Sequence, residues 1–295
     1  MLLKIANKYF DIKTATSLSE NLLGISRFFP FYDSGNNLDV KHSITISEEE
    51  VTIGKEEQLV YSGKIPFSEY ENYVYSNHDS YRFVLMENQE IRYSVEIDKA
   101  GTYSEIKIPN VPDDLPLRIG EAIPVCCNYS LSLQHTFMIH SSVVEYNGKG
   151  YLFLGRSGRG KSTHSRLWTE NIEGASLLND DSPYIYAHNN DAIVFGSPWS
   201  GKTACYKNRG VPIGGIVLLH QADRNKIEKA NKLRALSIIM PCIVGDMKWD
   251  FNIHNRVIET VERMVTTVNV YDMWCTPTKD AAIFCFNSLV KFNKE

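Results

Sequence analysis

Cysteine is scarce in this chain: six in 295 residues, at Cys126, Cys127, Cys205, Cys242, Cys275 and Cys285. No two stand in a C-x-x-C pair, and no Cys/His run has zinc spacing. That excludes a disulfide scaffold and a zinc finger, and points to reduced, mostly buried thiols. No apolar run approaches the ~18 residues of a membrane helix, so no membrane partner is expected. The opening Met-Leu-Leu-Lys-Ile-Ala-Asn-Lys-Tyr-Phe turns polar within a few residues and lacks the apolar centre of a signal peptide, so a cytoplasmic protein is expected. There is no excess of positive charge. The formal net charge is −4, which gives no general attraction to nucleic acid or anionic lipid. Internal repeats and low-complexity segments are also missing. What remains is an average globular composition, 43% hydrophobic and 22% charged, with material for one large domain or two ordinary ones.

The first third reads as β-rich. Ser43–Ser47, Val51–Ile53, Tyr81–Leu85 and Tyr93–Ile97 alternate apolar and polar residues, and turn residues separate them. Period-2 alternation of this kind predicts an antiparallel sheet. No acid pair, metal spacing or nucleophile motif lies there. Three prolines in eight residues, Pro109 to Pro116, predict a linker or an irregular crossing. Leu117 to Gln134 is patterned as a helix, with a kink or break expected at Pro124. The expected division is a β-rich N-terminal domain over 1–115 and a nucleotide-binding domain over 116–295.

The second part alternates strand and helix, an α/β pattern. Thr136 to Tyr146 predicts one strand, Asn147-Gly148-Lys149-Gly150 a hairpin turn, and Tyr151–Leu154 a second strand. A helix is expected from Ser162 to about Ile172. Leu177-Leu178 forms a short strand ending at Asp180-Asp181. His188 to Asp191 makes a second hairpin, and Gly214–Leu219 a buried strand. Helical patterns cover roughly 229–240, 252–267 and 279–292, with a strand near Val268–Trp274.

Gly155-Arg156-Ser157-Gly158-Arg159-Gly160-Lys161-Ser162 matches G-x-x-x-x-G-K-[ST]. Glycine permits positive φ, which lets backbone N–H groups close around phosphate oxygens. The helix opening at Lys161 adds its free amides and dipole. Lys161 would reach the outer phosphates and Ser162 would offer its hydroxyl to Mg²⁺. Gly155, Ser157, Gly158, Arg159, Gly160 and Thr163 complete the expected nucleotide contacts. The strand before the loop and the helix after it are the setting that this motif requires. The alternative is a glycine-rich surface turn.

Asn179-Asp180-Asp181 ends the next apolar strand, where carboxylates hold Mg²⁺ directly or through water. One of the pair could serve the metal and the other act as base toward an acceptor hydroxyl. Asp180 or Asp181 could instead open a turn before Ser182-Pro183. Gly196-Ser197-Pro198-Trp199-Ser200-Gly201-Lys202 is a shaped loop with one cation and one aromatic wall. It is either a substrate-facing loop with Lys202 near the transferred group or a surface hairpin with a packed Trp. His140, mid-strand, is either a hydrogen-bonded structural residue or a group at the phosphate end.

The run His140-Ser141-Ser142-Val143-Val144, then Gly150 to Ser162, then Asp180-Asp181, resembles the catalytic domain of HPr kinase/phosphorylase and its uncharacterised relatives. The resemblance covers about 136–290. It implies a mixed-sheet nucleotide-binding domain related to that of ATP-dependent phosphoenolpyruvate carboxykinase. It also implies Mg²⁺ with ATP or another nucleoside phosphate as donor, and an assembly of several copies. By position, Lys161 would bind phosphate, Ser162 the metal, Asp180 and Asp181 the base and metal contacts, and His140 would line the site. Two features depart from HPr kinases: Thr163 stands where they carry Glu, and their C-terminal signature is missing. HPr is therefore not the expected acceptor. The expectation is a Mg·ATP-dependent kinase acting on a hydroxyl of an unidentified protein, peptide or small molecule. The alternatives are a non-catalytic nucleotide-binding accessory or sensor and, less favoured, an NTPase coupled to motion.

Overall fold

The structure is a computed structural model, and it describes residues 1–14, 16–35, 40–64, 68–110, 113–245 and 247–292. The chain forms two compact units: Met1–Gln134 with Met247–Ile253, and His135–Asp246 with His254–Glu295.

The first unit is built on a sheet of eight described strands, in the order β1-β2-β3-β8-β7-β6-β5-β4. These are β1 (Leu2–Ile5), β2 (Lys8–Thr14), β3 (Val40–Ser47), β4 (Gln58–Lys64), β5 (Tyr70–Ser76), β6 (Ser80–Glu87), β7 (Glu90–Asp98) and β8 (Tyr103–Lys107). Alternation does what period 2 demands. His42, Ile44 and Ile46 of β3 are buried, while Ser43 and Thr45 between them are only half-buried. The sheet is mixed rather than purely antiparallel, because β3 runs parallel to both β2 and β8. Val51–Ile53, expected as a strand, is irregular backbone, and the neighbouring strand begins only at Gln58. Three alternating residues without a pairing partner do not make a ladder.

Among the described residues, two α-helices accompany this sheet, α1 (Thr16–Leu23) and α2 (Leu115–Ser132), with a short 3-10 helix at Ser26–Phe31. The latter runs unbroken through Pro124, so of the kink or break expected there the break is absent. Its buried Ile119, Ile123, Cys126 and Cys127 hold the helix in place around the one N–H that proline removes. The helix belongs to the first unit, on the N-terminal side of the division between the units. Of the expected linker at Pro109–Pro116, residues 111 and 112 lie outside the described residues.

The second unit holds a mixed sheet of β9 (Thr136–Ile139), β10 (Ser141–Tyr146), β11 (Lys149–Leu154), β12 (Ser176–Asp181), β13 (Tyr184–His188), β14 (Asp191–Phe195), β15 (Gly210–Gln221), β16 (Lys226–Lys229), β17 (Ile243–Val244) and β18 (Val270–Cys275). Its centre is parallel: β11 pairs β15, and β15 pairs β18. β10 and β12 extend it antiparallel. Asn147 and Gly148, at φ 46° and 70°, form the two-residue turn between β10 and β11. The single strand expected over Thr136–Tyr146 is two strands, β9 and β10, which part at His140. β9 pairs with β13 and β17, whereas β10 pairs with β11 and β12.

Its helices are α3 (Lys161–Asn171), α4 (Lys232–Ile239), α5 (Phe251–Thr267), whose first three residues belong to the first unit, and α6 (Lys279–Phe292). One core cluster joins the sheet to α3 and α6. It includes Tyr151, Phe153, Val217, Met273, Trp168, Ala282 and Leu289. Trp168 is fully buried, with ring centroids 5.3 Å from both Tyr151 and Phe153 and 5.6 Å from Phe286. This anchors α3, and hence the loop before it, to the sheet. Among the described residues no helix is long and apolar enough to cross a membrane. All six cysteines are free, and burial pushes the Cys126 thiol up to about 12.

Candidate functional site

β11 ends at Leu154, and the chain turns at once into the glycine loop. Gly158 and Gly160 take φ of 77° and 97°, which side-chain-bearing residues adopt only with strain. A Cβ on either would meet no heavy atom within 4 Å, so the loop is open above both positions. Within the loop the Arg159 N–H donates to the Arg156 carbonyl at 3.1 Å. Gly160 caps α3 with no side chain, leaving the first-turn amides of Lys161, Ser162 and Thr163 free of intrahelical partners. The Lys161 ammonium curls back to the Gly155 carbonyl at 3.0 Å. Burial pushes Lys161 below its ordinary value, and the carboxylates of Asp181 and Asp180 oppose the shift.

One cavity of about 390 Å³ gathers Lys161, Ser162, Asp180, Asp181, His140 and Lys202. Strand pairing explains the gathering. β10 lies between β11, which feeds the loop, and β12, which carries the acids, and it sets Ser142 opposite Asp180. Asp180 is 3% exposed, and its Oδ2 has no hydrogen-bond partner. The buried Ser142 hydroxyl, lining the same cavity, has none either. Asp181 is more open. It accepts from the Ser182 hydroxyl at 2.6 Å and lies 3.9 Å from the His140 Nε2. Burial lowers the His140 pKa; the Lys161 charge lowers it further, and Asp181 acts the other way.

The loop after β14 closes over the acid pair. Gly201 N–H donates to the Asp180 carbonyl at 2.7 Å, and Ser200 bridges to Asp181. A Cβ on Gly201 would sit 2.8 Å from that carbonyl oxygen, so the close approach needs glycine. Lys202 follows, exposed at the cavity wall. Trp199, 9% exposed, packs edge-on against Tyr184 at 6.1 Å and is the buried end of this loop.

Asn179 and Ser197 organise this arrangement, a role that the sequence reading, which quotes both, assigns to neither. The Asn179 amide donates to the Ser197 hydroxyl at 3.2 Å and to the Trp199 carbonyl at 3.1 Å. Its carbonyl accepts from the N–H groups of Asp181 and Ser182 at 3.2 and 3.0 Å. Ser197 in turn donates to the Ser182 carbonyl at 2.7 Å. This buried hub ties the acid turn to the 196–202 loop. Its signal was a lone Asn before two acids, ambiguous without the partner 18 residues on.

The donor set suits Mg²⁺: two carboxylates and a hydroxyl, all hard oxygens, beside a loop of free amides and a lysine. The unpartnered Asp180 Oδ2 is an oriented, dehydrated acceptor of the kind a cation relieves. Among the described residues no group of three or more His, Cys, Asp and Glu forms an all-protein cage. Mg²⁺ does not require one, since it commonly combines one or two carboxylates with substrate phosphates.

No family model matches this chain, and no curated protein matches its sequence. Among solved structures, it is similar to the Hpr(Ser) kinase/phosphatase from Coxiella burnetii at 13% identity, over 53% of this chain and 95% of that one, with a TM-score of 0.31.

Proposed function

We propose that the chain is a Mg²⁺- and nucleotide-dependent phosphotransferase acting on a hydroxyl group. The observation that carries the reading is the single cavity in which the glycine loop, Lys161, Ser162 and the Asp180–Asp181 pair meet. The same residues carry the resemblance to HPr kinase/phosphorylase, which is in keeping with this reading. Phosphoryl transfer asks a protein for positioning and charge neutralisation more than for covalent chemistry, and these groups supply both.

In this reading the amides around Gly158–Thr163 and the Lys161 ammonium hold the phosphate chain. Ser162 and the buried Asp180 would hold Mg²⁺, which would supply positive charge to the phosphate oxygens. Asp181, nearer the opening, accepts the proton of the acceptor hydroxyl. That oxygen bonds to the terminal phosphorus as the bridging P–O bond breaks, and the nucleoside diphosphate leaves with the bridging oxygen. His140, with its Nε2 3.9 Å from Asp181, helps to position that carboxylate, and Lys202 faces the transferred group from the 196–202 loop. The β-rich N-terminal portion is proposed as a domain distinct from the nucleotide-binding one, with the helix Leu115–Ser132 grouped with the β-rich portion.

The test is transfer of label from γ-labelled ATP to candidate hydroxyl acceptors. Asp181→Asn is expected to reduce transfer at least ~100-fold while nucleotide affinity stays within about threefold. Transfer that survives Asp181→Asn would remove the base assignment. Nucleotide binding with no transfer to any acceptor would turn the reading to a nucleotide sensor.

A further inference from the structure

The cavity at the glycine loop is lined by two residues with a polar atom that the fold leaves without a partner, Asp180 through its Oδ2 and Ser142 through its Oγ. Asp180 is 3% exposed and Ser142 is 1% exposed. Strand pairing sets them directly opposite each other, Ser142 on β10 and Asp180 on β12. Residues opposite each other in an antiparallel pair present their side chains on one face, with Cβ atoms ~4.5–5.5 Å apart. At that separation a hydroxyl and a carboxylate can meet, yet these two atoms are not bonded to each other.

An unpaired hydroxyl at a buried strand position needs a reason. β10 continues from Ser142 into Val143 and Val144, both fully buried, so an apolar side chain at 142 would suit packing at least as well. Burying a hydroxyl without a partner costs stability, and nearly every buried polar group in a folded protein is bonded to protein, water or an ion. Ser141 provides the contrast. Its hydroxyl is also buried and unpartnered, but Ser141 does not line the cavity. Only Ser142 places its orphaned oxygen where a ligand of the site can reach it.

We propose that Ser142 is a positioning residue for the divalent cation, its hydroxyl oxygen holding a water of the cation's shell beside Asp180. The proposal rests on the phosphotransferase reading, in which Ser162 and Asp180 hold Mg²⁺, and adds an outer group to that pair. Mg²⁺ keeps several waters when it binds through one or two carboxylates, and each of those waters has protons to place. A water between Ser142 and Asp180 donates one proton to the serine oxygen and one to Oδ2, so both orphaned acceptors are satisfied together. Outer groups of this kind fix the direction of the coordinating atoms and govern metal affinity without touching the ion.

The test is titration of Mn²⁺, read by electron paramagnetic resonance, into the full chain loaded with adenylyl imidodiphosphate, which cannot transfer its terminal phosphoryl group. Wild type is compared with Ser142→Ala, Ser142→Thr and Ser141→Ala. Ser142→Ala is expected to weaken Mn²⁺ binding at least about tenfold. Ser142→Thr, which keeps the hydroxyl, and Ser141→Ala, which lies off the cavity, are expected to stay within about threefold of wild type. Without metal, the thermal midpoint of Ser142→Ala should equal or exceed that of wild type, because the variant removes an unpaired buried hydroxyl. Mn²⁺ affinity within about twofold of wild type in Ser142→Ala would overturn the inference. So would equal losses in Ser142→Ala and Ser142→Thr, or a midpoint that falls together with Mn²⁺ affinity, which would assign Ser142 a structural role. If wild type takes up no Mn²⁺ with the nucleotide, the phosphotransferase reading falls and this inference with it. Binding that is indifferent to Ser142 removes this inference alone.

Discussion

His42 shows how one buried side chain sets a pH dependence. Its Nδ1–H donates to the Gly101 carbonyl and its Nε2 shares a hydrogen bond with the Ser104 hydroxyl, both at 2.7 Å, so the buried neutral ring has a partner at each nitrogen. Burial lowers its pKa, and the Gly101 carbonyl and the Asp98 carboxylate oppose this without reversing it. Above its ordinary value of 6.5 the ring is neutral in the folded and unfolded chain alike. As pH falls below that, the unfolded chain takes up the proton first, and stability drops. Lowered values at His135, His140 and His164 act in the same direction. His42→Gln is therefore expected to lower stability by about 1 kcal/mol near neutrality through lost hydrogen bonds. Its thermal midpoint should then fall less between pH 7.5 and 5.5 than that of wild type. An equal fall in both proteins would show that His42 is not one of the responsible groups.

At the scale of elements, helix α3 carries the amides proposed to bind phosphate, and the tryptophan in its middle holds it down. Trp168 also donates its indole N–H to His164 Nε2 at 3.2 Å, and burial pushes His164 down to about 4, keeping that nitrogen an acceptor. Trp168→Ala is expected to cost about 3–5 kcal/mol, measured by denaturant unfolding, since it deletes a fully buried aromatic. In whatever folds, nucleotide affinity should drop because the loop loses its anchor. Unchanged stability would mean that α3 is held from elsewhere. The elements legible in the sequence were those whose signal is local. The Gly155–Ser162 loop lies between a hydrophobic strand and a periodic helix, and the Asn147-Gly148 turn needs only two residues of context. The parallel pairing of β3 with β2 and β8 was not legible, because parallel neighbours come from distant parts of the chain. The break at His140 was hidden for a related reason. The apolar run is continuous, and only the diverging partners of β9 and β10 divide it. The candidate site was legible as single residues, Lys161, Ser162, Asp180 and Asp181. The Asn179–Ser197 hub and the placing of Ser142 opposite Asp180 were not, since each depends on groups joined only by folding.

On the scale of the whole molecule, the chain does not divide at one point. Residues 247–253 return to the first unit after most of the second has been traversed. Trp249 is the reason: its ring lies 4.6 Å from Tyr81, 5.0 Å from Phe83 and 6.5 Å from Tyr129. Asp250, 7% exposed, caps the backbone beside it by accepting from Asn252 and Ile253. A fragment ending at residue 134 lacks this segment, so it should unfold at a lower denaturant concentration than the first unit in the full chain. Trp249→Ala in the full chain should cost about 2 kcal/mol, less than a fully buried aromatic because Trp249 is half-buried. A 1–134 fragment as stable as the intact unit would contradict this. The net charge of −4 leaves recognition to local features, chief among them the loop and acid pair in one cavity. That claim is tested most directly by calorimetric titration of Mg·ATP into wild type and into Lys161→Ala. The account predicts micromolar binding to wild type, weakened at least tenfold in the variant. Absence of binding to wild type, or equal binding by both proteins, would contradict it.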